Sequence, residues 1–307
     1  MKINMNGQHE KIIFILNPVS GFFGIRRRKV ERIIKQHIKK ENLFGEIWYS
    51  NYAGHTTELV KKAVEERAKT VVIAGGDGSI NEAARSLVYT DTALGIIPCG
   101  SGNGLANHLK IPFNIRKALQ TIKENHIKAA DTIKINDQYA FSLAGIGLDA
   151  LVAERYHLAR RRGFLSYMRS LLIEYVNFKP EAITIKTDSM EIEEKCVLII
   201  FANSNQFGYN FRIAPQADLF DGYMDVVIVK KIPFISAPLS SIQIWTGYAD
   251  KCLYLSSFKA KKVSIIRSLD GVMNVDGDPF KSGQNVEVEV LPASLKLIVP
   301  KKPTPTH

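Results

Sequence analysis

The chain has 307 residues, more than a single domain usually takes, so two domains with full cores are expected. Hydrophobic residues make up 46% and charged residues 23%, and the longest clean apolar run, Val197 to Ala202, falls far short of the ~18 residues of a membrane span. An excess of 41 basic over 30 acidic residues, +11 in all, points to an acidic partner: a nucleotide, a nucleic acid or an anionic membrane surface.

Met1 to Lys11 is polar and lacks the apolar stretch of a secretory signal. Cys99, Cys196 and Cys252 have no metal-like spacing and do not suggest a disulfide framework, so a reduced, cytoplasmic compartment is expected. Lys11 to Leu16 reads as a strand that runs into the polar turn Asn17-Pro18-Val19-Ser20-Gly21, with a basic amphipathic helix from about Ile25 to Lys40. The unit repeats: strand Gly45 to Tyr49, helix Gly54 to Ala68, strand Thr70 to Ala74, helix Ser79 to Val88, strand Leu94 to Ile97. Helices at Asn103 to Leu109 and Ile115 to Asn125 follow. Strands alternating with helices at this spacing give a parallel sheet covered on both faces.

From about Asp131 the pattern changes to short strands: Thr132 to Asn136, Tyr139 to Ala144, Ala182 to Thr187, Glu194 to Ala202, Tyr223 to Val229, Val263 to Arg267, Gly271 to Val275, Val286 to Val290 and Leu295 to Val299. A helix from Leu151 to Val176 and another from Phe234 to Tyr248 interrupt them. Many strands with few crossovers predict a β-sandwich. The domains are therefore set at 1–130 and 131–300, with 301–307 a tail.

Gly75-Gly76-Asp77-Gly78-Ser79-Ile80-Asn81-Glu82 and Pro98-Cys99-Gly100-Ser101-Gly102-Asn103-Gly104 each follow an apolar, β-branched run. Glycines at a strand-to-helix turn let backbone N–H groups approach phosphate oxygens, and the helix that follows adds partial positive charge. Ligands of parallel sheets bind beyond the carboxyl ends of the strands, where the turns at Asn17, Gly75 and Gly100 all emerge. An acid such as Asp77 beside a polyphosphate is repulsive unless a cation intervenes or the carboxylate orients a proton, which points to Mg²⁺ chemistry or catalysis.

Together with Ala214-Pro215-Gln216-Ala217-Asp218-Leu219-Phe220-Asp221-Gly222-Tyr223 and Asn274-Val275-Asp276-Gly277-Asp278, these segments resemble the diacylglycerol kinase and sphingosine kinase superfamily in its soluble bacterial form. The resemblance implies an α/β N-terminal domain of the NAD-kinase and phosphofructokinase kind, a C-terminal β-sandwich domain, and phosphoryl transfer from ATP, with Mg²⁺, to a lipid hydroxyl. It carries over as nucleotide contacts Asn17, Pro18, Ser20, Gly21, Ser50, Gly75, Gly76, Asp77, Gly78, Ser79, Asn81, Glu82, Gly100, Ser101 and Asn103. A Mg²⁺ site would take the Asp221 side chain, with Asp218 and Tyr223 giving mainly backbone oxygen. Asp278 would be the general base, and Asp77 would organise Mg²⁺ and the γ-phosphate. From local sequence alone, Asp276-Gly277-Asp278-Pro279 reads equally well as a hairpin turn, and Asp221-Gly222 as a turn between strands.

Gly104 stands where many diacylglycerol kinases have an acid, which is closer to the sphingosine kinase branch; Asp131 matches another acidic position. The helix with Arg155, Arg160, Arg161 and Arg162, followed by Phe164, Leu165, Tyr167 and Met168, suits contact with anionic headgroups and equally suits a packed surface helix. A lipid substrate, peripheral contact with an anionic membrane and no nucleic acid are the expected partners, and an exposed strand edge of the second domain offers a route to a homodimer. The alternatives are a non-catalytic nucleotide- or lipid-binding regulator on the same fold, and a soluble-substrate kinase of the NAD kinase type.

Overall fold

The structure is a computed structural model that describes residues 10–17, 23–100, 102–157, 164–205 and 212–301. Its contacts divide the chain into two compact units, residues 1–130 with 293–307, and residues 131–292. The closing residues of the chain thus return to the first unit.

In the first unit, β1 (Ile12–Leu16), α1 (Phe23–Lys40), β2 (Gly45–Tyr49), α2 (His55–Glu65), β3 (Thr70–Gly75), α3 (Asp77–Leu87), β4 (Ala93–Pro98), α4 (Gly104–His108) and α5 (Ile115–Glu124) follow in order. The strand order β2-β1-β3-β4 is parallel throughout. Every residue of β3 and β4 is buried, as expected where both faces of a parallel sheet are covered. The register pairs Leu16 with Tyr49 and with Ala74, and Gly75 with Pro98, so the four strands end along one edge. The turns at Asn17, Ser50, Gly76 and Cys99 leave from that edge.

The second unit continues with β5 (Ile127–Ile135), which enters it from the first, then β6 (Gln138–Ala140), β7 (Leu143–Gly147), α6 (Leu148–His157), α7 (Phe164–Asn177), β8 (Glu181–Lys186), β9 (Glu191–Cys196), β10 (Leu198–Ala202), β11 (Met224–Val229), α8 (Ala237–Thr246), β12 (Leu255–Ala260), β13 (Lys262–Arg267), β14 (Gly271–Val275), β15 (Asp278–Ser282) and β16 (Asn285–Ile298). One antiparallel sheet has the order β12-β11-β10-β7-β14-β15. A second is built from β16, β13, β8 and β9, with β5 and β6 alongside. Ile199, Phe201, Val226 and Ile228 of the first sheet share a core with Ile183, Ile185, Val263 and Val288 of the second. Their alternates Ile200, Ala202, Val227 and Val229 line the outer face, where Ile244 of α8 packs. The α/β domain and the β-sandwich expected from the sequence are both present.

Several boundaries differ from the sequence reading, each for a physical reason. The single strand expected at Tyr139 to Ala144 is two, because the N–H groups of Phe141, Ser142 and Leu143 donate to the Asp276 carboxylate. The strand expected at Glu194 to Ala202 breaks at Val197, where the chain passes from one sheet to the other. The two last strands are one, β16, running through Pro292 with Ala293 at φ 48°. The helix placed at Leu151 to Val176 is α6 and α7, with residues 158–163 outside the described set. β12 and β15 were not anticipated; both are edge strands of polar sequence. Among the described residues no helix is long and apolar enough to cross a membrane.

Candidate functional site

In the first unit the two glycine turns touch. A Cβ added at Gly100 would lie 2.6 Å from the Gly76 Cα, and one added at Gly102 would lie 2.8 Å from Asp77 Oδ2. A side chain at Gly100 would force the turns apart, so glycine there is required by backbone contact, whereas one at Gly102 would displace the Asp77 carboxylate. The Gly104 N–H donates to Asp77 Oδ1 at 2.8 Å, tying the second turn to the first residue of α3. Burial pushes the Asp77 carboxyl above its ordinary value, opposed by backbone N–H groups of Asn103, Gly104 and Asp77 itself.

The remaining nucleotide candidates gather around this contact. Asn17 Nδ2 donates to Ser79 Oγ at 2.8 Å, and the Gly54 N–H donates to Glu82 Oε1 at 3.1 Å. Ser50 is buried at the end of β2 and accepts from Thr56 Oγ1 at 3.2 Å. Asn81 is buried, and its Nδ2 has no partner among the described residues. Asn103 belongs to the site in a different sense from the one expected: its Oδ1 accepts from Gly100 N at 2.9 Å and its Nδ2 donates to Gly100 O at 2.8 Å, so the side chain shapes the loop. Pro18, Ser20, Gly21 and Ser101 lie outside the described residues.

In the second unit Asp278 opens β15, directly after a hairpin turn whose residues Asp276 and Gly277 have φ 52° and 97°. Positive φ at both turn residues is the twist-matched hairpin geometry, so the turn reading and a functional Asp278 are compatible. The hairpin is fixed on all sides. The Asp276 carboxylate accepts from Phe141, Ser142 and Leu143 N–H at 2.8 to 2.9 Å, and Asn274 Oδ1 accepts from Gly277 N at 2.9 Å. Asn274 Nδ2 in turn donates to Asp149 Oδ2 at 2.6 Å.

Asp149 is the residue of this region that the sequence reading does not single out, and Asn274 enters it only as part of the Asn274 to Asp278 segment. Asp149 follows Gly145-Ile146-Gly147, and a Cβ at Gly145 would lie 2.5 Å from Asp149 Oδ2, so the glycine makes room for the acid. Starting the helix at Leu151 instead of Leu148 left Asp149 outside any element. Burial raises its carboxyl to about 7, with the Asn274 hydrogen bond pulling the other way.

The loop expected to hold a metal turns on its own acids: Asp218 Oδ1 accepts from Phe220 N, and Asp221 Oδ1 from Tyr223 N. Asp131 Oδ2 accepts from Gly222 N at 2.7 Å, which ties the loop to β5. Lys259 Nζ lies 2.6 Å from Asp221 Oδ2 and 3.2 Å from Asp225 Oδ2. Burial lowers the Lys259 pKa, but the two carboxylates outweigh it and hold the ammonium above its ordinary value. No group of three or more His, Cys, Asp and Glu side chains that could hold a metal occurs among the described residues. The loop's side-chain ligand atoms are all oxygen, the type a hard ion takes, and the Lys259 ammonium is the cation they now face. Of the helix expected to meet headgroups, Arg155 is paired with Glu174 of α7, and Arg160 to Arg162 lie outside the described residues.

Comparison with known proteins gives a family for each part of the chain. Residues 11–135 match the diacylglycerol kinase catalytic domain, and residues 142–299 match the YegS C-terminal NAD kinase beta sandwich-like domain. The chain is 27% identical over 254 residues to the lipid kinase YegS of Escherichia coli (strain K12), covering 80% of this chain and 83% of that protein. It is 27% identical over 252 residues to the probable lipid kinase YegS-like of Klebsiella pneumoniae (strain 342), with the same coverage of 80% and 83%. A putative diacylglycerol kinase from Bacillus anthracis str. Sterne superimposes with a TM-score of 0.77 at 22% identity, over 96% of this chain and 98% of that one.

Two outcomes follow from the geometry. Gly100→Ala should cost about 1–3 kcal/mol in thermal or urea unfolding of the first unit, whereas Gly104→Ala, with open space around its Cβ, should be near neutral. Equal effects would mean that the turns are not in contact. For Asp149, the unfolded chain ionises near 3.8 and the folded chain near about 7. Between those values only the folded state holds the proton, so stability falls as pH rises through the window and then levels off. Asp149→Asn keeps an acceptor for Asn274 and should flatten that slope; an unchanged pH profile of the melting temperature would contradict it.

Proposed function

The chain belongs to the diacylglycerol kinase family, in the form that joins the catalytic domain to a YegS-type C-terminal domain, and from that membership we propose that it transfers the γ-phosphoryl group of Mg²⁺-bound ATP to a hydroxyl of a membrane lipid such as diacylglycerol or a sphingoid base. The observation that supports this most is the contact of the Gly76 and Gly100 turns at the ends of β3 and β4. Together with the N-terminus of α3 it offers backbone N–H groups and partial positive charge to phosphate oxygens.

ATP supplies the phosphoryl group, and its Mg²⁺ spreads the charge that shifts toward the leaving oxygen. Asn17, Ser20, Gly21, Ser50, the Gly75 to Glu82 turn and helix start, and the Gly100 to Asn103 loop are the residues we assign to hold the nucleotide. The Asp278 carboxylate accepts the proton of the lipid hydroxyl. The lipid oxygen forms its bond to the γ-phosphorus, and the bond from that phosphorus to the ADP oxygen breaks. Asn274, Asp276 and Asp149 act as positioning residues, since they hold the hairpin from which Asp278 projects. Asp77 clasps the second glycine turn, and its carboxylate would help to hold the Mg²⁺ of bound ATP, which would offset charge on the phosphates. Asp218, Asp221 and Tyr223 would hold a structural Mg²⁺ through oxygen atoms alone, and such an ion would offset the charge that Lys259 now offsets. The enzyme works from the cytoplasm at the bilayer surface.

Labelled ATP, Mg²⁺ and mixed micelles of diacylglycerol, monoacylglycerol, sphingosine and ceramide test the reaction. A labelled lipid is expected, and Asp278→Asn should lower kcat by about a hundredfold or more with little change in KM for ATP. ATP binding without transfer to any of these lipids would move the reading to a nucleotide-binding regulator. A mutant as fast as the parent would remove Asp278 from the chemistry. For the metal loop, Lys259→Met leaves Asp221 and Asp225 without their cation, so the melting temperature should fall in EDTA and recover with added Mg²⁺ by more than the parent's does. If Mg²⁺ shifts neither protein, the loop is not a metal site.

A further inference from the structure

Helix α8 is amphipathic the wrong way round for a helix that only covers a sheet. Ser240 is 3% exposed and faces inward, and Ser236 Oγ lies 3.1 Å from Tyr254 Oη on the same side. Ile244 packs on the outer face of the sheet that contains β10 and β11. Outward stand Leu239, Ile242 and Trp245, spaced three residues apart and so forming one stripe along the helix. Phe234 and Ile235 extend the stripe before the helix, and Leu253 extends it beyond; Ile235 and Leu253 are 92% and 93% exposed. Single exposed apolar residues are ordinary, but six large ones within twenty residues, three on α8 and three in the segments that flank it, mark a surface that something covers.

Its rim is cationic. From Lys230 to Leu253 the sequence has three lysines and a single acid, Asp250. Lys231 and Lys251 are exposed at the two ends of the helix, and exposed Arg212 lies against Gly247, where an added Cβ would sit 3.4 Å from Arg212 Cδ. Lys251 Nζ sits 4.8 Å from the centre of the exposed Tyr248 ring. Apolar side chains that project singly, a Trp and a Tyr at the border, and lysines around them match the layering of a bilayer surface, with hydrocarbon, interface and anionic headgroups in turn. A second copy of the chain fits less well, because two-fold pairing through this stripe would set the Lys231 and Lys251 rim against itself.

We propose that the α8 face of the second unit is the surface with which this protein seats on an anionic lipid bilayer. The inference deepens the lipid-kinase reading and rests on it for its purpose: an enzyme whose substrate stays in the membrane must rest on that membrane. Docking through α8 holds the protein at the interface, while Arg155 is spent on Glu174 and does not serve this end.

Flotation with vesicles of phosphatidylcholine, with and without phosphatidylglycerol, tests it. The parent should float with the vesicles, most strongly with phosphatidylglycerol, and the combined Leu239→Ser, Ile242→Ser and Trp245→Ser variant should lose about tenfold or more of that partitioning. Lys231→Glu with Lys251→Glu should lose only the part that depends on phosphatidylglycerol. The chain has two tryptophans, Trp48 and Trp245. In a Trp48→Phe protein the emission of Trp245 should therefore shift to the blue on adding vesicles, whatever the folding of the serine variant. Unchanged flotation of the serine variant, or no emission shift, would overturn the proposal. So would a parent dimer in sedimentation that the serine variant converts to monomer while vesicle binding persists. Phosphorylation of a short-chain diacylglycerol dissolved as monomers needs no docking and should be equal in parent and serine variant. If neither phosphorylates it and the flotation difference remains, the docking surface stands and the kinase reading fails.

Discussion

The constraint on which the first unit depends is that two backbone turns occupy almost the same space. Gly76 and Gly100 approach so closely that a Cβ at Gly100 would lie 2.6 Å from the Gly76 Cα and one at Gly76 would lie 3.1 Å from the Gly100 Cα, and the approach is possible only because β3 and β4 are adjacent and in register to their last residues, Gly75 and Pro98. Sheet register therefore comes first, the glycines second and the cradle third. Asp77 and Asn103 then stop the turns from relaxing: one takes the Gly104 N–H, the other folds the Gly100 to Gly102 loop on itself. The outcome is a pair of interlocked glycine turns at the end of a sheet, beside which the start of α3 turns its partial positive charge outward, as binding a polyphosphate asks of a fold.

The second unit solves a different problem, the placing of carboxylates. Asp276 is held by three backbone N–H groups and Asp149 by a buried amide, and neither relies on a salt bridge in the contacts described above. Backbone donors fix direction as well as charge, so the hairpin is set in orientation before any ligand arrives. Asp149 is the costly member, since burying an ionised carboxylate is unfavourable and its pKa rises accordingly. A neutral acid that accepts from Asn274 resolves the conflict without a cation. The loop from Asp218 to Tyr223 has the opposite character: Asp221 shares the Lys259 ammonium with Asp225, so its charge is offset by a cation.

Most of the first unit was legible because its signals are local. Buried runs such as Thr70 to Ala74 are β-branched and end in glycine, and the helices between them show their apolar periodicity. What escaped was set by distant partners or by weak pattern. The break at Phe141 and Ser142 comes from Asp276, more than a hundred residues later in the chain. β12 and β15 are edge strands with Ser, Lys and Pro in them, so no apolar alternation announced them. The face of α8 escaped for a further reason: the sequence reveals that apolar and polar residues alternate, but only the fold reveals that the serine points inward and the leucine outward.

Gly104 shows how the same logic bears on the family's missing acid. Nothing lies within 4 Å of a Cβ built there, so the glycine is not required by packing. Its N–H, however, is spent on Asp77, and a carboxylate at this position would stand beside one already destabilised by burial. Two acids so placed repel unless a cation lies between them, which would tie the integrity of the second glycine turn to metal binding. With glycine, Asp77 needs only the backbone donors it already has. The clasp between the turns is thus complete in the protein alone, with no cation needed between two acids.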